Sequence, residues 1–370
     1  MQINATITGL KYRILLATEL ATVKSVDFDI NTCPSACIYT DKNLNFAISK
    51  WVSPKRTRSY PYERVYNTLV NGKKITVIPV IKDEGLQGDR DFIQWDTVSM
   101  MSLLDVYVIL AYYDKAEKNK KYDNKITKQQ FDNQYVVDKI WEIAAYHSSA
   151  LHWNLKELKD NLAEIIAKVK SAYAKISKAT KVQMHSEQGI DDFQEVISKS
   201  TKEFMEFSRK KAKEAQSREF VTIQPKEVLA TLTKAKITIT NFLGGEYFLT
   251  VDEVKLENDK IYLIEGKHAG SIAKNSSILP NNSDIKDGLL KMILYTNLKN
   301  TVVNNIPKNA IPVLLLSSSK LKSVINSVAN ETEFEHFCKE NKLKQAQQNY
   351  LKTLFEEAKT NGFMVILKER

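Results

Sequence analysis

Several features common in other protein classes are scarce or missing in this chain of 370 residues. No apolar run approaches the roughly 20 residues needed to span a bilayer. The first residues, MQINATITGLKYRILL, lack the charged-then-apolar pattern ending in small residues that marks a secretion signal. We therefore expect a cytoplasmic protein without a membrane-spanning segment.

Cysteine is rare, and the chain has only Cys33, Cys37 and Cys338. An odd number of cysteines in a long chain without a signal predicts reduced thiols. Cys33 and Cys37 could begin a metal site, but no second Cys/His pair follows at ligand spacing. The cysteines therefore favour neither a disulfide framework nor structural zinc.

Three sequence motifs of well-known enzyme classes are missing. There is no Gly-rich phosphate loop before a Lys-Ser/Thr pair, no Rossmann fingerprint and no nucleophile-elbow serine. Their absence argues against nucleotide-driven motors, dehydrogenases and hydrolases of the serine type.

Acidic residues are outnumbered, with 44 Asp and Glu against 54 Lys and Arg, which gives a net charge of +10. An excess of this size favours a polyanionic partner such as nucleic acid. A Lys-rich composition without any role in nucleic-acid binding would give the same number. Charge alone leaves both interpretations open.

Glycine and proline are nearly absent from one part of the chain. Residues 119–218 contain no proline and only Gly189, and their apolar residues recur at helical spacing. This pattern predicts a helical scaffold or dimerisation region. Residues 1–118 predict a mixed α/β region instead. Its clearest elements are strands at 73–81 and 106–113 and a helix at 91–105.

The last region, residues 219–370, predicts a mixed sheet with helices, in the order helix, three strands, helix, strand. Apolar and β-branched runs mark the strands, and apolar residues at helical spacing mark the helices. The predicted elements are a helix at 224–234, strands at 236–242, 247–256 and 260–268, a helix at 283–298 with Ser283 or Asp284 as its N-cap, a strand at 311–319, two further helices and a last strand at 362–369.

The second and third strands of this region form a predicted hairpin that turns at residues 258–259, an Asn-Asp pair suited to tight turns. Pairing outward from that turn places Asp252 directly opposite Glu265. Side chains alternate along a strand, so Lys267 shares their face while Glu253 points to the other. A bulge in either strand would bring Glu253 inward instead.

Two carboxylates held opposite each other repel. One must take up a proton, or a cation must lie between them. Mg²⁺ suits two carboxylates together with water and a substrate phosphate. Lys267 could hold an attacking water or stabilise charge on that phosphate. Gly266, between Glu265 and Lys267, would let substrate or metal approach the backbone.

The pattern Glu-x-Lys is common by itself, and a surface hairpin with charged ends would look similar. Only one of its five copies ends an apolar strand and has an acid placed opposite it. For the other four we expect solvated charge pairs on helices or on the outer strand face. The five copies begin at Glu157, Glu253, Glu265, Glu340 and Glu357.

Asp252, followed by Glu265-Gly266-Lys267 in this order of elements, resembles the PD-(D/E)XK nuclease superfamily, typified by type II restriction endonucleases. The resemblance covers roughly residues 219–320. It implies that Asp252 and Glu265 bind Mg²⁺ and that Lys267 positions the nucleophilic water.

The resemblance departs from the family pattern at Val251, which stands where the motif name has proline. Family members often carry another acid on the preceding helix, and Glu227 is the candidate here. The resemblance implies a Mg²⁺-dependent type II restriction endonuclease that leaves 5′-phosphate and 3′-hydroxyl ends. It further implies a homodimer on double-stranded DNA and a separate cognate methyltransferase. A structure-specific nuclease and a non-catalytic binding protein remain alternatives.

A second segment, WVSPKRTRSYPYERVY at 51–66, interleaves basic and aromatic residues. Arginine forms hydrogen bonds with guanine edges and with phosphate, and aromatic rings pack on sugars or bases. The segment favours a DNA-contacting loop that runs into a helix over the alternative, a surface loop whose tyrosines cover the N-terminal domain. The candidate contact residues are Lys55, Arg56, Arg58, Tyr60, Tyr62 and Arg64.

Other charged residues are interpreted more simply. The acidic stretch 82–92 could be a second metal site, but a solvated turn with helix capping by Asp89 or Asp91 explains it better. Lys286 and Lys291, on the helix that follows Lys267, could meet phosphate, but the solvated face of that helix explains them better. His147 and His152 are five residues apart, so one helix face would not bring them to a shared metal.

Overall fold

The structure is a computed structural model, and it describes residues 1–42, 44–55, 61–199, 201–221, 233–269 and 277–370. Over these ranges the fold is mixed α/β, which confirms the predicted class. A search of the same ranges found no helix with the length and apolar character needed to cross a membrane.

The secondary-structure elements are numbered in chain order. The strands are β1 (Gln2–Ile7), β2 (Thr22–Lys24), β3 (Ala36–Asp41), β4 (Leu44–Lys50), β5 (Lys73–Pro79), β6 (Ile81–Asp83), β7 (Arg90–Phe92), β8 (Tyr107–Ala111), β9 (Tyr113–Lys118), β10 (Ile126–Phe131), β11 (Thr233–Asn241), β12 (Glu246–Glu257), β13 (Lys260–His268), β14 (Lys299–Val303), β15 (Ile306–Pro307), β16 (Asn309–Ser318), β17 (Ile325–Asn326) and β18 (Met364–Glu369). The α-helices are α1 (Pro61–Thr68), α2 (Trp95–Leu103), α3 (Asn133–Ala144), α4 (Ala150–Lys156), α5 (Leu162–Thr180), α6 (Gln188–Lys199), α7 (Thr201–Val221), α8 (Asn282–Tyr295), α9 (Glu331–Glu340) and α10 (Gln345–Asn361).

The chain divides into two compact units. We call Met1–Thr18 together with Lys211–Arg370 the sheet unit, and Glu19–Lys210 the inserted unit. The sheet unit is built on a nine-stranded sheet in the order β15-β14-β1-β11-β12-β13-β16-β18-β17. The inserted unit contains a five-stranded sheet in the order β2-β3-β4-β5-β8.

This division differs from the three predicted regions. The first 18 residues do not belong with 19–118, because β1 pairs in parallel with β11. The helical part from 119 is not separate from the α/β part before it. Helix α3 contributes Val136, Ile140 and Ile143 to the same hydrophobic core as the five-stranded sheet. Strand pairing and packing between distant residues cannot be recognised from changes in composition along the chain.

The centre of the sheet unit is a three-strand meander followed by a helix and a parallel strand. Strands β11, β12 and β13 pair antiparallel in sequence, and β16 then pairs in parallel with β13. The predicted order is therefore found from the first strand onward, with two short strands, β14 and β15, added before β16. Residues 224–232 of the helix predicted at 224–234 lie outside the described part, and its last two residues, Thr233 and Lys234, belong to strand β11 instead.

Helix α8 packs against β13 and β16, and most of its buried residues are apolar. Leu289, Ile293 and Leu294 are among its fully buried residues, each worth about 2 kcal/mol of burial. The helix begins after Asn281, whose side chain accepts a hydrogen bond from the Asp284 amide at 2.7 Å. The cap thus lies two residues before Ser283 and three before Asp284, the predicted candidates.

In the inserted unit, helix α4 protects the free edge of the sheet at β8. The Asn154 side chain accepts from the Val108 amide at 2.7 Å and donates to the Val106 carbonyl at 2.9 Å. The Trp153 indole donates to the Val108 carbonyl at 2.8 Å. These bonds satisfy an edge that would otherwise be open to pairing with another chain.

Two of the Glu-x-Lys copies expected to be solvated are buried instead. Glu157 is 1% exposed and lies 3.1 Å from the Lys139 ammonium. Glu357 is 0% exposed and binds the N-terminal segment: it accepts from the Tyr12 hydroxyl and from the amides of Leu15 and Leu16, each at 2.8 Å. Partners distant in sequence allow both carboxylates to be buried.

Replacing Glu357 with alanine should destabilise the sheet unit by about 3 kcal/mol or more. The change leaves two backbone amides and a hydroxyl without their carboxylate acceptor, and each such bond is worth about 1.5–3 kcal/mol. Urea unfolding of the variant measures the loss. Glu356→Ala is the matched control, because its side chain is exposed on the same turn of α10. Equal midpoints for the two variants would contradict this role of Glu357.

Candidate active site

The hairpin register agrees with the sequence prediction. Strands β12 and β13 pair from Glu257 with Lys260 up to Glu253 with Ile264, without a bulge. Asn258 adopts a left-handed conformation in the turn, with φ of 52°. Asp252 is therefore next in line opposite Glu265, and its Oδ2 accepts a hydrogen bond from the Gly266 amide at 2.9 Å.

Glu265 is the buried centre of the site, with only 2% of its surface exposed. The Lys267 ammonium lies 3.0 Å from its Oε1. A second ammonium, that of Lys291, lies 2.8 Å from its Oε2. Each carboxylate oxygen of Glu265 therefore has its own lysine.

Helix α8 supplies two charged residues that sequence reasoning did not assign to the site. Lys291 is one, and Asp287 is the other, with its Oδ2 3.2 Å from the Lys267 ammonium. The prediction that Lys286 and Lys291 lie on a solvated helix face was wrong. Lys286 is 3% exposed and contacts Thr18. The four-residue spacing of Asp287 and Lys291 on one helix face was the available signal.

The site contains three carboxylates and two lysines, and this imbalance shows in their pKa values. Burial would raise the pKa of Glu265, but Lys291 and Lys267 outweigh it and lower that pKa. Burial and the neighbouring Glu265 raise the pKa of Asp252 to about 6. Burial also raises the pKa of Asp287. The two lysines thus compensate Glu265 and leave Asp252 as the carboxylate that is costly to ionise.

Gly288 allows Lys267 to lie across helix α8. A Cβ atom at this position would be 2.8 Å from Cδ1 of Leu314 and 3.1 Å from Cε of Lys267. Both separations are shorter than ordinary carbon contacts. The glycine therefore keeps the lysine stem close to the helix and its ammonium between Glu265 and Asp287.

Gly288→Ala should lower both stability and any activity that depends on Lys267. Alanine favours a helix by about 1 kcal/mol, but forcing a methyl group into a packed site costs about 1–3 kcal/mol. A displacement of Lys267 by about 1 Å should slow a reaction by about 10²-fold. Thermal unfolding measures the first effect, and the rate of any reaction that depends on Lys267 measures the second. The control is Gly9→Ala, which meets open space, and equal behaviour of the two variants would contradict the close approach.

The two carboxylates of the hairpin match the donor preference of Mg²⁺. Asp252 and Glu265 are both carboxylates, the hard oxygen donors that this ion prefers. Oδ1 of Asp252 accepts no hydrogen bond from any residue in the described part of the chain. Within that part no group of three or more His, Cys, Asp and Glu side chains is arranged to hold a metal. Among the described residues, Asp252 and Glu265 are therefore the two carboxylates that would hold such a cation.

The basic and aromatic segment is only partly described. Lys55 forms an ion pair with Asp91 and is 37% exposed. Tyr62 is 3% exposed, so its ring is part of the core rather than a DNA-contacting surface, contrary to prediction. Arg64 donates to the Lys50 carbonyl at 2.8 Å. Arg56, Arg58 and Tyr60 lie outside the described residues, as does Glu227, the predicted additional acid.

The acidic stretch 82–92 is not the solvated turn that was expected. It forms the β6–β7 hairpin, in which Asp83 and Asp91 are each 2% exposed. Asp83 Oδ1 accepts from the Gly85 amide at 2.8 Å and lies 2.8 Å from Nδ1 of His185. Neither predicted acid caps α2, whose N-cap is Gln94. Both buried carboxylates therefore have protein partners, Gly85 and His185 for Asp83 and Lys55 for Asp91.

Comparisons of the chain with protein-family models, with curated proteins and with solved structures found no match.

Proposed function

We propose that the chain is a Mg²⁺-dependent DNA endonuclease of the type II restriction class. The observation that carries the proposal is the arrangement at the β12–β13 hairpin. Asp252 lies beside Glu265, and the Lys267 ammonium is 3.0 Å from the Glu265 carboxylate. The meander, helix and parallel strand around them have the order expected of a PD-(D/E)XK nuclease core.

In this proposal Asp252 and Glu265 hold the cation, which when bound lowers the pKa of its water and neutralises charge on the scissile phosphate. Lys267 orients the attacking water and stabilises the developing charge. Asp287 fixes the Lys267 ammonium from the other side. The products would carry 5′-phosphate and 3′-hydroxyl ends.

The substrate in this proposal is double-stranded DNA read at a specific sequence. The net charge of +10 supports a polyanionic partner. A homodimer would match a two-fold symmetric site, and a separate methyltransferase would protect the host DNA.

The test is digestion of a large unmethylated DNA by the purified protein, with Mg²⁺ or with EDTA. Discrete Mg²⁺-dependent fragments would support sequence-specific cleavage, and sequencing of their ends would give the target. Cuts only at junctions, flaps or ends would favour the alternative of a structure-specific nuclease of repair, recombination or defence. If no duplex or branched DNA is cut, the endonuclease proposal fails.

One observation favours a second candidate, a non-catalytic nucleic-acid-binding protein. Both oxygens of Glu265 already have lysine partners, so part of the acidic hairpin is compensated without a metal. A structural ion-pair network would have this appearance. In that case DNA binding would be measurable, would not need Mg²⁺ and would survive substitution of Lys267.

A further inference from the structure

The second lysine of the site, Lys291, has a position that the proposed cleavage mechanism does not yet use. Its ammonium lies 2.8 Å from Oε2 of Glu265, one of the two carboxylates proposed to hold the cation. It also interacts electrostatically with the other one, Asp252. A positive charge of the protein therefore contacts one proposed metal ligand and acts electrostatically on the other.

Lys291 is held at the site by the helix that carries it. Its side chain is 14% exposed, and its helix neighbours Leu290, Met292 and Leu294 are each 0% exposed. The backbone of α8 is thus fixed against the sheet. If a divalent cation binds Glu265 Oε2, the ammonium can move only by rotation of its own side chain and stays within the site.

The charges of the site indicate what that ammonium would then meet. Three carboxylates (Asp252, Glu265 and Asp287) and two ammonium groups (Lys267 and Lys291) leave one negative charge when all are ionised. Binding of one divalent cation would change the net charge of the site from −1 to +1. A phosphodiester carries one negative charge. The charges of the cation-bound site and of its substrate would therefore cancel. Without Lys291 the cation-bound site would have no net charge to offset that of the phosphodiester.

We propose that Lys291 is a resident counter-ion with two successive partners: Glu265 Oε2 before the divalent cation binds, and a non-bridging oxygen of the scissile phosphodiester afterwards. This inference rests on the proposed nuclease function and adds a catalytic residue to it. No covalent step is assigned to Lys291, because it forms only charge-assisted hydrogen bonds. Lys267 remains the residue that orients the water.

The proposal predicts opposite effects on metal binding and on cleavage. In Lys291→Gln the competing charge is lost, while the amide can still donate to Glu265 Oε2. Mn²⁺ should bind to the DNA-free protein about tenfold more tightly, because a like charge a few ångströms away has been removed. Single-turnover cleavage at saturating Mg²⁺ should slow by about 10²-fold, the usual effect of losing one stabiliser of a developing charge.

The experiment is calorimetric titration of full-length protein with Mn²⁺, together with single-turnover cleavage, on the wild type, Lys291→Gln and Lys291→Arg. Arginine keeps the charge, so its Mn²⁺ affinity should stay near that of the wild type. Lys286→Met is the matched control for loss of a buried lysine from the same helix, and it should not tighten Mn²⁺ binding. If Lys291→Gln does not fold, Lys291→Met provides the same comparison.

The outcomes separate this inference from the proposed function. Weaker Mn²⁺ binding by Lys291→Gln would mean that the lysine only positions Glu265, and unchanged cleavage would mean that it does not meet the phosphate. Either result overturns the inference while the nuclease stands. A wild type that neither binds Mn²⁺ nor cleaves DNA overturns the proposed function and this inference together.

Discussion

Replacing Lys267 with alanine should abolish Mg²⁺-dependent cleavage of duplex DNA, with a loss of at least about 10²–10³-fold in rate. The reason is the position of its ammonium, 3.0 Å from Glu265 and 3.2 Å from Asp287. No other lysine in the described part contacts both carboxylates. The loss should appear in single-turnover rates at saturating Mg²⁺, where DNA and metal binding no longer limit the reaction.

The hairpin itself offers a matched control for this variant. Lys255 belongs to another Glu-x-Lys copy, on the outward face of β12, where its side chain is 54% exposed and pairs with Glu257. Lys255→Ala should cleave at the wild-type rate. Lys267→Met, which keeps most of the apolar stem, separates loss of the charge from loss of packing. Cleavage that persists in both Lys267 variants would show that the chemistry lies elsewhere in the chain.

Replacing Asp252 with asparagine should abolish cleavage and, at the same time, stabilise the metal-free protein. The carboxylate lies beside Glu265, and burial together with that neighbour raises its pKa to about 6. An amide can still accept the Gly266 hydrogen bond but carries no charge. At pH 7.5 the gain should be about 3 kcal/mol, which corresponds to roughly 8 °C in melting temperature for a unit of this size.

The effect of Asp252 on stability should depend on pH, and its sign follows from the raised pKa of this carboxylate. An unfolded aspartate has a pKa near 3.9, so between about pH 4 and 6 the folded state binds more protons at Asp252 than the unfolded state does. The free energy of unfolding therefore falls as pH rises through this window, and the loss is complete above it. In Asp252→Asn this contribution to the pH dependence should vanish. Thermal melts of metal-free protein from pH 4 to 8 measure it.

The test of Asp252→Asn also includes melting temperatures with Mg²⁺ and a control variant. Mg²⁺ should raise the melting temperature of the wild type and leave that of Asp252→Asn unchanged, because one of the two proposed ligands is lost. Asp259→Asn changes an exposed acid in the turn of the same hairpin, and it should not gain stability. A lower melting temperature for Asp252→Asn in metal-free buffer would contradict the repulsion between Asp252 and Glu265.

Local sequence predicted the hairpin well because its signals are short-range. The Asn-Asp turn, the apolar alternation of β13 and the two-residue period of a strand were sufficient to place Asp252 opposite Glu265. The bounds of β13 and the approximate position of α8 followed from the same kinds of pattern. Each of these rests on contacts between residues that are close in the chain.

Tertiary structure decided which charged residues are buried and with whom they pair. Lys291 looked like the polar side of a helix, and only the packing of α8 against β13 brings it to Glu265. Glu357 looked like half of a solvated pair, yet it binds the backbone of residues some 340 positions earlier. Tyr62 looked like a surface aromatic and lies in a core. A polar residue can be buried only when its partner arrives, and its own sequence neighbourhood does not record that partner.

The same limit applies to the division of the chain. Composition separated a helical stretch from its neighbours, but the units are defined by pairing between β1 and β11 and by a core that joins α3 to the five-stranded sheet. The sequence by itself determined the mixed α/β class and the acid–acid–lysine arrangement on one hairpin. The tertiary structure alone supplied Asp287, Gly288 and Lys291, because long-range packing brings helix α8 against that hairpin.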